Sequence, residues 1–178
     1  MTTRDELQAL HGELWALRDE LEPHWPTPNA LDSLRFAVTE CGEAMDAYLR
    51  TKGGYSRNHA KEPDIYGELA DTALMLFSAL GREHQYATRQ PAYERKDIGG
   101  MLDWLSYDVA SALCDCSDNP RLPWQNAVAD CLATIPSVPG MDFAAELRKR
   151  MAKWRDKWGA PEDSATRRDK AEALTKGQ

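Results

Sequence analysis

The chain has 178 residues, 42% hydrophobic and 29% charged, which suits a single domain with its own core and excludes a disordered polymer. Acids outnumber bases 29 to 22, and the net charge of -7 argues against broad binding to nucleic-acid phosphates. No run approaches the roughly 20 apolar residues that a membrane helix needs. The first residues turn acidic at once (Asp5, Glu6) with no apolar signal segment, so a cytoplasmic location is expected. Cys41, Cys114, Cys116 and Cys131 then read as reduced thiols. The single residue between Cys114 and Cys116 does not fit zinc-ligand spacing.

Helical periodicity runs through the whole chain, and the expected fold class is all-α, a helical bundle. Residues 3–22 carry Leu7, Leu10, Leu14, Leu17 and Leu21 at spacings of three and four, one apolar stripe. Pro23, Pro26 and Pro28 end that helix and hold a short link. A second helix is expected over about 29–50, with Leu31, Leu34, Val38, Cys41, Met45 and Tyr48 on one side. The polar stretch 51–61 reads as a loop. A third helix starts near Glu62-Pro63-Asp64, carries Ile65, Leu69, Thr72, Ala73, Leu76 and Leu80, and stops at Gly81.

Beyond a polar segment at 82–96, a fourth helix follows the cap candidate Asp97 and runs to about Cys116. Asp118-Asn119-Pro120 reads as a turn, and a short fifth helix covers about 123–135. The sixth begins near Asp142 with Phe143, Leu147, Met151, Trp154 and Trp158 on its apolar face. Residues 1–159 are expected to form one domain, and the charge-rich stretch 160–178 a polar tail.

The informative residues are acids at the edge of apolar stripes. Glu40 and Glu43 lie three apart on the second helix, and Glu68 and Asp71 repeat that spacing on the third. Glu40 stands between Thr39 and Cys41, Asp71 between Ala70 and Thr72, and neither pair has a base four residues away. One such pair alone is usually a solvated face. Two pairs on consecutive helices that pack together bring four carboxylates face to face, and like charges about 4 Å apart at partial burial cost several kcal/mol. A cation must sit among them. Oxygen ligands without a nearby histidine favour Mg²⁺, with Mn²⁺ as a substitute, and suggest metal-assisted attack of water on phosphorus.

Thr39-Glu40-Cys41-Gly42-Glu43, followed after a gap by Glu68-Leu69-Ala70-Asp71, resembles the E-x-x-E … E-x-x-D signature of the MazG-like all-α nucleoside triphosphate pyrophosphohydrolases. The flanks 34–38 and 73–77 agree with it, and Gly140-Met141-Asp142-Phe143 leading into residues 147–154 resembles that family's last core helix. The resemblance covers about 29–81 and 140–159. It implies a bundle of the all-α NTP pyrophosphatase type in which 82–139 is an inserted helical pair. It implies Mg²⁺ held by Glu40, Glu43, Glu68 and Asp71, and hydrolysis of a nucleoside triphosphate to the monophosphate and pyrophosphate, with a dNTP as the leading expectation and a canonical dNTP, dUTP and a damaged nucleotide all open. Glu43 or Glu40 would activate the water. A homo-oligomer, dimer or tetramer, is also implied.

Weaker candidates complete the set. Arg150, Lys153 and Lys157 share one helical face and could meet phosphates, although the family often has an asparagine where this chain has Trp154. Trp25 and Tyr48, with Trp15 and His24, are candidates to border a nucleobase, and Arg57 and His59 could close over phosphates. The alternative reading is a non-catalytic helical regulatory or interaction module that retains the acidic metal site.

Overall fold

The computed structural model describes residues 3–53, 62–86, 97–118 and 124–159. Among these residues the chain is all-α, a bundle of six α-helices with one 3-10 turn and no strand. They are α1 (Arg4–Leu21), α2 (Ala30–Thr51), α3 (Ile65–Leu80), α4 (Ile98–Asp118), α5 (Trp124–Thr134) and α6 (Phe143–Trp158), with the 3-10 turn at Ile135–Ser137. No described helix is long and apolar enough to cross a membrane. The turn expected at 119–120, Arg57, His59 and the tail 160–178 lie outside the described residues.

Side-chain caps fix where the helices begin. Thr3 and Glu6 form a reciprocal capping box on α1. Asn29 accepts from the Asp32 N–H at 2.9 Å, Asp97 from the Gly100 N–H at 2.7 Å, and Asp142 from the Ala145 N–H at 3.1 Å. Asp64 accepts from the Gly67 N–H at 3.1 Å, so α3 starts at Ile65 and Pro63 stands just outside it rather than in its first turn. Gly81, at φ +77°, ends α3 in a left-handed conformation open to glycine.

α3 is the central rod. From Gly67 to Ala79 every residue but Asp71 is buried, so the helix is apolar nearly all round and must be wrapped. α2 packs along it most extensively, α6 lies against another side, and α1 touches both α3 and α6. α4 packs on α2, and α5 joins α4 to α3. The segment expected as an inserted pair shares the common core: Met101, Leu102, Leu105 and Val109 of α4 and Val128, Cys131 and Leu132 of α5 belong to the same buried cluster as Leu34, Leu69 and Phe77.

Candidate functional site

The cap at Asp64 sets the register of α3, which puts Glu68 in its first turn and Asp71 one turn on, both towards α2. Glu40 meets them from the middle of α2. One carboxylate oxygen from each of Glu40, Glu68 and Asp71 lies within 4.8 Å of the other two. Glu68 is buried, and Glu40 and Asp71 are half-buried. Glu43 is exposed and does not join the three. Three residues along a helix turn a side chain by about 300°, so with Glu40 aimed at α3 its partner swings some 60° towards solvent. Three acids converge where four were expected.

Crowding perturbs these acids. Burial pushes the Glu40 carboxyl up to about 7, with the charges of Asp71, Glu43 and Glu68 adding to it and Arg150 opposing. Burial likewise raises Asp71 to about 6; Arg150 and Lys153 pull it down, and Glu68 and Asp64 push it up.

The cation that the sequence demands is partly supplied by α6. Arg150, expected on a phosphate-facing surface, is instead buried and turned into α3. Its Nε donates to the Gly67 carbonyl at 3.0 Å and lies 3.2 Å from an Asp71 oxygen. Its Nη2 lies 3.0 Å from Asp64 and 3.8 Å from Glu68. A guanidinium committed to four partners is not spare for substrate phosphate. Lys153 is exposed near Asp71, and Lys157 stands at the mouth of a neighbouring cleft with its Nζ 4.7 Å from the Trp158 ring centroid.

That cleft, of about 320 Å³, is lined by Glu40 and Asp71 together with Trp25, Phe36, Trp154 and Trp158. Trp25 meets Trp154 edge-on at 4.8 Å and lies nearly parallel to Trp158 at 5.4 Å. Behind these rings the guanidinium carbon of Arg18 is 4.3 Å from the Trp25 centroid and 4.6 Å from that of Trp154. Arg18 is fully buried and donates to Ser78 Oγ at 3.0 Å, and burial lowers its pKa to about 10.

Of the aromatic candidates, the structure brings Trp25 to the acids and leaves the others away. Tyr48 stands two turns further along α2 and packs on Gly99 of α4, where an added Cβ would come 2.7 Å from its hydroxyl. Trp15 donates its indole N–H to His11, and His24 is exposed after α1. The sequence reading missed Phe36, Trp154 and Trp158 as cleft residues. A usable signal existed for two of them: Arg150, Trp154 and Trp158 repeat every four residues, so they share a face of α6. The chain matches no protein-family model, no curated protein and no solved structure.

Proposed function

We propose that this chain is a Mg²⁺-dependent hydrolase that cleaves a nucleoside triphosphate, of the dNTP class, between the α and β phosphates. The observation that carries the reading is the convergence of Glu40, Glu68 and Asp71 from two helices beside an aromatic cleft. The donor set suits a hard divalent cation, because it offers only oxygen and gathers three buried or half-buried carboxylates within 4.8 Å of one another. Glu40, Glu68 and Asp71 would hold Mg²⁺, with Mn²⁺ as substitute; the ion when bound supplies neutralisation of phosphate charge and a polarised water.

The chain's own residues do the remaining work. Trp25, Phe36, Trp154 and Trp158 stack and enclose the base, and Lys153 and Lys157 meet the outer phosphates. Glu43, one turn from Glu40 and open to solvent, takes the proton of the water that attacks the α phosphorus. The bond from the α phosphorus to its bridging oxygen then breaks, which leaves the monophosphate and pyrophosphate.

The test is pyrophosphate release from a panel of NTPs and dNTPs with Mg²⁺, repeated with Asp71→Ala and Glu43→Ala. The reading expects release from at least one substrate and its loss in both folded variants. One observation favours a second reading, a non-catalytic binding module: Arg150 already offsets part of the acidic charge. A wild-type chain that leaves every substrate intact while Mg²⁺ raises its melting temperature selects that reading.

A further inference from the structure

We propose that Arg150 is a positioning residue: it fixes the carboxylates of Glu68 and Asp71 for a divalent cation. The inference rests on the metal reading above and gives Arg150 a different role from the phosphate contact expected of its helix face.

The geometry carries it. Guanidinium donors point in fixed directions within one plane. Here two anchors set that plane, the Gly67 carbonyl at 3.0 Å from Nε and Asp64 at 3.0 Å from Nη2. Both belong to the start of α3, the helix that carries Glu68 and Asp71. The same two nitrogens then reach Asp71 at 3.2 Å and Glu68 at 3.8 Å. Arg150 therefore reads the position of both acids from the first turn of their own helix. Its side chain is nine-tenths buried, so the fork does not leave this seat cheaply.

The seat exists because residue 67 is glycine. A Cβ at that position would come 1.9 Å from Arg150 Nη2 and 2.4 Å from an Asp64 carboxylate oxygen. Gly67 stands in the first turn of α3, and the space that its missing Cβ leaves is filled by Arg150 and Asp64.

Positioning and plain electrostatics predict opposite results. A cation beside three acids repels a divalent ion, so its removal should tighten metal binding if charge alone matters. If Arg150 holds the ligands in place, its removal weakens binding despite the more negative site.

The experiment is a Mn²⁺ titration followed by EPR on wild type, Arg150→Met, Arg150→Lys and Gly67→Ala, each first checked by metal-free thermal melting. Positioning expects all three variants to bind Mn²⁺ at least tenfold more weakly. Arg150→Lys keeps the charge and loses the fork; Gly67→Ala keeps every charge and displaces the fork. Gly67→Ala and Arg150→Lys decide the matter if Arg150→Met does not fold. Equal or tighter binding by Arg150→Met, or wild-type affinity in Gly67→Ala, overturns the positioning role alone. A wild-type chain that binds no Mn²⁺ overturns the metal reading, and this inference with it.

Discussion

The indole N–H of Trp15 donates to Nε2 of His11 at 2.7 Å, one turn apart on α1. That bond requires an unprotonated Nε2, and the ring is sealed in: it is 1% exposed and stacks on Phe77 at 5.3 Å. Burial, helped by the nearby His84, lowers its pKa from the ordinary 6.5 to about 4, against a smaller opposing interaction with the Phe77 backbone. The unfolded chain takes up this proton more readily. The stabilisation is therefore complete above pH 6.5 and is lost as pH falls through 4, on the order of 2–3 kcal/mol in all. Denaturant unfolding of wild type and His11→Gln at pH 7.5, 5.5 and 4.5 checks it: acidification should lower the stability of the wild type relative to the variant. Parallel curves would refute a buried neutral His11.

Glu40 and Asp71 tilt the balance the other way. Their carboxyls are raised to about 7 and about 6, so the folded state prefers them protonated. Their contribution is fully present below the ordinary carboxylate range and is lost as pH rises through 7. Between about pH 4.5 and 6 these two carboxyls outweigh His11, and the metal-free stability of the wild type should fall as pH rises. Glu40→Gln leaves Asp71 alone against His11, so it should flatten the curve in that window and raise metal-free stability at pH 8 by about 2 kcal/mol. Millimolar Mg²⁺ should raise the wild-type melting temperature, by linkage, and leave Asp71→Asn unmoved. A wild-type melting temperature indifferent to Mg²⁺ would contradict a metal centre.

The six helices were legible in the sequence because their evidence is local. Leu7 to Leu21 or Ile65 to Leu80 declare a stripe without reference to any other segment, and the caps Asp97 and Asp142 mark starts by side-chain chemistry alone. The acidic cluster was partly legible, since the spacing on α2 and α3 gave the face but not the small rotation that sends Glu43 to solvent. The inward turns of Arg150 and Tyr48 were not legible, for one shared reason. Whether a basic or aromatic residue at a helix boundary turns inward depends on a gap in its partner, here Gly67 for Arg150 and Gly99 for Tyr48, and that pairing spans long stretches of chain.

Arg18 offers a separate measurement of what a buried cation costs. Its Nε and Nη1 find no hydrogen-bond partner among the described residues, and its compensation is two tryptophan faces, Ser78 and the charge of Glu22. Each cation–π contact contributes about 0.5–2 kcal/mol, while desolvation of an unpaired charge costs several. Ser78 also donates to the Leu74 carbonyl, so it keeps a partner if the arginine goes. Arg18→Met fills the same volume and should change stability by less than about 1.5 kcal/mol, whereas Arg18→Ala leaves a cavity and should cost about 3 kcal/mol. Thermal melts of the two variants decide it; equal losses would mean that the guanidinium itself holds α1 to the Trp25–Trp154 corner.

Phe36 isolates the aromatic cleft from the fold. It lies four residues before Glu40 on α2, is 53% exposed and lines the cleft, yet it is not part of the buried cluster. Truncation at such a position normally moves stability by no more than about 0.5 kcal/mol. If the cleft receives a nucleobase, Phe36 contributes stacking on the order of 1–3 kcal/mol, equally in the bound substrate and in the transition state. Uniform binding of that kind appears in KM and leaves kcat alone. Phe36→Ala should therefore raise KM for the preferred nucleotide about tenfold with kcat and melting temperature near wild type. An unchanged KM would remove the base from this cleft, and a lower kcat at unchanged KM would place Phe36 nearer the reacting phosphate than its position at the rim allows.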